Sequence, residues 1–369
     1  MLGEPASPEV AIPAPPRAVF WYARLVELLL LAVAPLVLAL TVAQQVVERR
    51  SYKEDGWFYD VHTMWVAWQH VAHGQSPYPF VYPAPAAVLP APIGFLGYRP
   101  AVIVFSLILV AAVVLTLRVL GVRDWRCYGA AFLSMMVVSS IEIGTPTPLL
   151  ALAAACAWRY RERRLVVAAA LAFAVGFKIF LWPLLAWLVV TRRFRAAVYS
   201  VLATIVLVGG SWATIGFSGL LDYPRHLNGI ATIENYKSYS VVALAHAVGL
   251  GGTASRIVGG VGILVGLGLV VAVGRGPRAD GNAFVAALVA SLLATPIVWA
   301  HYFLLLFVAI GLARRQFGVL WLAPLVFWAL PGQESHRSVF IVLFGLSAAL
   351  AIAAWSARSA PPSGDARPA

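Results

Sequence analysis

Apolar residues run along this chain in long blocks that are broken by short clusters of arginine. The blocks fall near 20–43, 100–120, 127–143, 146–158, 165–180, 182–191, 196–216, 256–274, 282–299, 302–313, 317–331 and 338–356. They are apolar on all sides rather than on one face, which marks membrane-crossing helices. Between them stand Arg123 and Arg126; Arg159, Arg161, Arg163 and Arg164; Arg192, Arg193 and Arg195; Arg275 and Arg278; and Arg314 and Arg315. Basic residues gather in cytoplasmic loops, and placing every cluster on that side gives about twelve crossings with both ends inside. Several blocks fall short of the roughly 20 residues of a full crossing. Short pairs meeting at a Pro or polar break, such as 165–180 with 182–191, then end below the outer surface. Broken helices survive there only around a protected cavity.

Composition supports this reading. The 369 residues are 61% hydrophobic and 11% charged, whereas soluble domains carry about 25% charged residues. An aqueous multi-domain protein is excluded. The net charge of +12 does not point to nucleic acid, because the basic residues sit in topology-setting loops rather than on one wet face. Cys127 and Cys156 lie beside Arg-rich inner loops, and neither a disulfide nor a metal cluster is expected. Residues 1–18 and 357–369 read as disordered cytoplasmic tails around one membrane domain, 19–356. The run from Phe20 to Ala43 is too long for a cleavable signal. Glu27 within it needs a partner or an interfacial position.

This topology leaves outer loops at about 44–99 and 217–255, and it gathers the unusual residues on the outer side. From Asp60 to His73 the apolar residues Val61, Met64, Trp65, Trp68 and Val71 recur at helical spacing. That predicts an amphipathic helix along the membrane surface, ended by Gly74 and the Ser76-Pro77 turn. Asp60 at its start serves as a helix cap or as a reacting carboxylate. Lys178 lies deep in the apolar stretch AFAVGFKIFLWP. There it snorkels as an anchor or captures a phosphate at the tip of a short helix pair. His301, in TPIVWAHY, is a core histidine, a proton carrier or an anion ligand. Glu142 and the break Gly144-Thr145-Pro146-Thr147 make a third tip. Asp222, Arg225, Asn228, Glu234, Asn235 and Tyr236 in the second outer loop offer groups for sugar hydroxyls. No Walker loop, Rossmann fingerprint, HExxH or nucleophile elbow occurs.

The order of these features resembles glycosyltransferase family 87. It comprises the outer-loop Asp, Gly74 fourteen positions later, SPY, Tyr82-Pro83, the PLL tip with WRYRERR, GFKIFLWPLL closed by TRRFRAA, DYP and SYS, and TPIVWAHYFLLL. The resemblance runs from about Asp55 to Arg315. It implies an all-α polytopic membrane protein of GT-C type. Such an enzyme moves a hexose, by family default mannose, from a polyprenyl-phosphate donor to a hydroxyl of a glycolipid or cell-envelope glycan, with inversion. The work would be done on the outer face of the plasma membrane, without metal or other cofactor.

The family's catalytic Asp falls on Asp60, with Asp55 as competitor. Lys178 and His301, helped by Arg225, would meet the donor phosphate, and Tyr82, Trp299, Asn235 and Tyr236 would hold substrate. The GQxN tip of many members is GTPT here, and a second His is replaced by Tyr302. The rival is a transporter or flippase of lipid-linked sugars. It would be expected to show two similar halves, and no internal repeat is evident.

Overall fold

The computed structural model describes residues 17–36, 59–275 and 279–329. Asp55, the crossing expected at 338–356 and both tails lie outside these residues, apart from the two residues at 17–18. All regular structure in the described residues is helical. The chain opens with α1 (Arg17–Leu28), continued by a π-helical turn at Leu29–Val33. Then come α2 (Tyr59–Ala72), α3 (Ala84–Val88) and α4 (Tyr98–Val119). α5 (Trp125–Leu133) and α6 (Met135–Ile143) lead to α7 (Thr147–Arg159). α8 (Arg164–Phe177), α9 (Leu184–Val190) and α10 (Phe194–Thr214) follow. The remainder is α11 (Tyr223–Glu234), α12 (Val241–Ala247), α13 (Gly252–Val273), α14 (Ala279–Leu293), α15 (Leu306–Ala313) and α16 (Val319–Leu322).

Three described helices, α4, α10 and α13, are long and apolar enough to cross a membrane. The pair α5 and α6 makes a fourth candidate, bent by 62° at its break. The other expected crossings in the described residues are shorter apolar helices, such as 164–177, 179–190, 279–293 and 300–313. The block read as one crossing at 127–143 is broken at Ser134. The Ser134 hydroxyl accepts from Val137 N at 3.4 Å and donates to the Ala131 carbonyl at 2.7 Å. A serine that caps the following helix satisfies its first amides and permits the bend.

The short helices come to two ends of the bundle. α7 starts beside the break at residues 144–146 and ends at Arg159, while α8 starts at Arg164 and ends at Lys178. The tips at Thr145 and Lys178 therefore share one end, and the arginine loop lies at the other. At that far end Asp280 joins three of the expected basic loops. Arg161 approaches it at 2.8 Å, Arg193 at 2.6 Å, and Trp187 Nε1 donates to it at 2.9 Å. A second corner joins the loops at 124–126 and 314–317. Arg126 binds Asp124 at 2.9 Å and Glu27 at 3.1 Å, and Phe317 N donates to Asp124 at 3.0 Å. Glu27 thus has the partner that its place in an apolar run demands.

The expected amphipathic helix is α2. It buries Val61, Met64, Ala67 and Trp68, with Trp65 and Val71 partly covered. It is stitched to the segment after it: Trp68 Nε1 donates to Ala86 O at 2.9 Å and Trp65 Nε1 to Leu96 O at 3.0 Å. The 3-10 turn at Ala91–Phe95 lies so close that a Cβ on Gly94 would stand 2.5 Å from the Trp68 carbonyl. Only glycine allows that approach.

Candidate active site

Three chain breaks and the segment that carries α2 and Tyr82 meet at the tip end. The first break follows α6, where Gly144 adopts φ +74° and turns the chain into Thr145-Pro146-Thr147. A Cβ on Gly144 would lie 2.6 Å from Val61 Cβ, so this tip is pressed against the first turn of α2. Thr145 and Thr147 are fully buried, with their hydroxyls 3.4 Å apart. The second break is Lys178, where an extended residue ends α8 before a 3-10 turn at Ile179–Leu181 and Pro183. The third is the run Thr295 to Trp299, which leads into the 3-10 helix Ala300–Leu305. That helix packs on α6 and α7, which brings His301 and Tyr302 to the same end.

The side chains of these segments connect. Tyr82 donates its hydroxyl to Asp60 Oδ2 at 3.1 Å. The Lys178 ammonium lies 5.0 Å from the centre of the Tyr82 ring and 4.2 Å from that of Tyr302. It donates to the Tyr302 hydroxyl at 3.1 Å. Lys178 is only 8% exposed, so its charge turns inward while its neighbour Ile179 faces outward. His301 is 3% exposed, and among the described residues neither of its buried ring nitrogens has a hydrogen-bond partner. Buried polar groups are as a rule hydrogen-bonded, which makes this imidazole a candidate for a polar contact with substrate.

Asp60 lies in the first turn of α2, and desolvation raises its carboxyl above the usual carboxylate range. The charge on Lys178 and the hydroxyls of Tyr82 and Thr145 pull it part of the way back. Burial likewise raises the Tyr82 phenol well above its ordinary value, reinforced by the Asp60 charge. Tyr82 therefore stays protonated and remains a donor to the carboxylate.

A brace of aromatic rings sets Tyr82 in place. Tyr78 donates to the Tyr82 carbonyl at 3.2 Å and stacks on Trp212 of α10 at 4.6 Å. Tyr223, at the start of α11, packs on both rings and donates to Val81 O at 3.2 Å. The segment before α3 and the start of α11 are thus tied across the end of α10.

The other residues singled out in the sequence are placed as follows. Trp299 is half-buried at the entry to the His301 turn. Asn235 is buried beside Ser238 and Ser240, and Tyr239 N from this loop donates to Val298 O at 2.7 Å. The Asn235 loop is thereby joined to the His301 break. Tyr236 is 52% exposed. Arg225 stands in solvent, 3.3 Å from Asp222. The contacts that link Asp60, Tyr82, Lys178 and Tyr302 are thus complete without Arg225. Thr145 joins the site from the tip already marked as a break, and Tyr302 joins it without having been singled out as a site residue. Among the described residues no group of three or more His, Cys, Asp or Glu could hold a metal ion.

Fold and site together define an α-helical membrane protein with a half-buried carboxylate and a buried ammonium at the meeting of its broken helices. The model of glycosyltransferase family 87 matches residues 80–300, more than half of the 369 residues, and the chain belongs to that family. The matched stretch includes Tyr82, Lys178 and Trp299; Asp60 precedes it and His301 follows it directly. No curated protein and no solved structure matches the chain.

Proposed function

We propose that this glycosyltransferase moves a hexose, mannose by preference, from a polyprenyl-phosphate donor to a hydroxyl of a glycolipid or cell-envelope glycan. The reaction runs on the outer face of the plasma membrane within a GT-C-type fold of about twelve crossings. The observation that carries the reading is the pairing of Asp60 with Lys178 through Tyr82, beside a buried His301 whose two nitrogens have no partner among the described residues. A transfer between hydroxyl and phosphate needs a base at one end and positive charge at the other.

Asp60 takes the proton of the acceptor hydroxyl as that oxygen bonds to the anomeric carbon. The bond from the anomeric carbon to the phosphate oxygen breaks, and its electron pair leaves on the polyprenyl phosphate. Attack from the face opposite the leaving group inverts the anomeric centre. Lys178 and His301 meet the charge that grows on the phosphate. Arg225 is left outside this contact group, and the phosphate role rests on the other two. Trp299 and Asn235 border the sugar, with Tyr236 at the solvent side. Tyr82 holds the base and presents its ring to the ammonium. The buried part of the site suits the short sugar phosphate, and the polyprenyl chain would lie along the apolar exposed helices.

The test is transfer by membranes that contain the protein, supplied in turn with radiolabelled polyprenyl-phosphate mannose, polyprenyl-phosphate glucose and nucleotide-activated mannose. Label appearing in a lipid or glycan product from the first donor alone supports the reading. Transfer from the nucleotide sugar alone contradicts it, and no transfer from any donor returns weight to a transporter.

A further inference from the structure

Lys178 is held in a way that the transfer reaction alone does not explain. It sits in apolar surroundings at 8% exposure, where an ammonium needs partners. Among the described residues its hydrogen bond goes to the neutral hydroxyl of Tyr302 at 3.1 Å. The same tyrosine offers its ring, whose centre lies 4.2 Å from Nζ, and the Tyr82 ring stands at 5.0 Å. Tyr302 is itself fixed: its ring stacks on Phe180 with centres 4.9 Å apart and planes 9° from parallel. Phe180 follows Lys178 by two residues in the same break. The chain segment that carries the ammonium therefore also carries the plate that orients its partner.

The chemistry of the partner matters. A carboxylate at the place of Tyr302 would neutralise the ammonium and compete with any anion. A phenylalanine would give a ring face and no acceptor. A phenol accepts one N–H and adds no negative charge, and an ammonium has three N–H donors. The remaining donors stay available, and Tyr302 adds no negative charge beyond that of Asp60, which already feels the ammonium.

We infer that Tyr302 is a positioning residue: it fixes the Lys178 ammonium, without adding a negative charge of its own, for the phosphate of the lipid donor. This rests on the proposal that Lys178 meets that phosphate.

The experiment is a double-mutant cycle on binding of polyprenyl monophosphate to the full-length protein in detergent. It uses wild type, Tyr302→Phe, Lys178→Ala and the double variant, with thermal unfolding of each as a control for folding. Tyr302→Phe keeps the ring and its stack, so a folding defect is not expected. Phe180→Leu, which removes only the stack, serves as a second variant. Tyr302→Phe should weaken binding on the order of tenfold, as for a lost hydrogen bond to a charged group, and Lys178→Ala should weaken it more. The double variant should bind no more weakly than Lys178→Ala, because Tyr302 acts through the lysine. Additive losses overturn the positioning role, as does wild-type binding by both Tyr302→Phe and Phe180→Leu. Undiminished binding by Lys178→Ala overturns the phosphate reading of the site, and this role with it.

Discussion

Tyr82 and Asp60 are joined by a 3.1 Å hydrogen bond across 22 residues of sequence, from a loop phenol to the first turn of a surface helix. The bond makes Tyr82 a support for the carboxylate. Tyr82→Phe should lower transfer by on the order of three- to tenfold, the scale of one hydrogen bond. Because this hydroxyl lowers the Asp60 carboxyl, the acid limb of the pH–rate profile should also move to higher pH. Rates of wild type and variant across pH check both effects.

The same electrostatics predict a larger shift from Lys178. A base works only when deprotonated, so activity is lost as pH falls through the Asp60 value, and burial raises that value. The Lys178 charge opposes the rise. Lys178→Ala should therefore move the acid limb further up in pH, besides lowering the rate by on the order of a hundredfold or more through the leaving phosphate. Steady-state rates with the lipid donor measure the limb and the loss together.

Gly144 is the hinge that presses Thr145 towards Asp60. At φ +74° a side chain is strained by about 1–2 kcal/mol, and a Cβ would also meet Val61 at 2.6 Å. Gly144→Ala should lower both thermal stability and transfer. Adding Val61→Ala should recover only part of the loss, since it relieves the contact but not the backbone strain. Unfolding temperatures of the single and double variants decide this.

At the opposite end, Arg126 holds the Asp124 carboxyl down at about 2, with the Phe317 amide assisting against burial. A carboxyl lowered on folding contributes stability that is complete above its unfolded value and is lost as pH falls through its folded one. The contribution is on the order of 2 kcal/mol at neutral pH. Asp124→Asn should destabilise the protein at pH 7 and much less near pH 2. Thermal unfolding at the two pH values reads the difference.

Much of this arrangement was legible in the sequence, for physical reasons that differ by element. The long apolar helices α4, α10 and α13 had blocks whose bounds lie within a few residues of the observed ends. The period of Val61, Met64 and Trp68 gave α2 directly. The break at Ser134 was hidden, because one serine in an apolar run looks neutral until its capping bonds are seen. Length also misleads: blocks that look like separate crossings form helices too short to count as crossings by themselves. At the site, burial and charge drew attention to Asp60, Lys178 and His301. Thr145 stood out as part of a polar break and for lacking an amide, and Tyr302 only for standing where other members carry a histidine. Their roles depend on contacts across 124 residues in one case and on a glycine turn in the other, which no local pattern encodes.

The central claim is that Asp60 is the base. The direct measurement is transfer from radiolabelled polyprenyl-phosphate mannose by Asp60→Asn, beside wild type of equal abundance and equal unfolding temperature. Loss of transfer by about a hundredfold to ten-thousandfold is predicted, the range for removal of a general base. Transfer by Asp60→Asn at the wild-type rate would contradict the account and move the search for the base to Asp55.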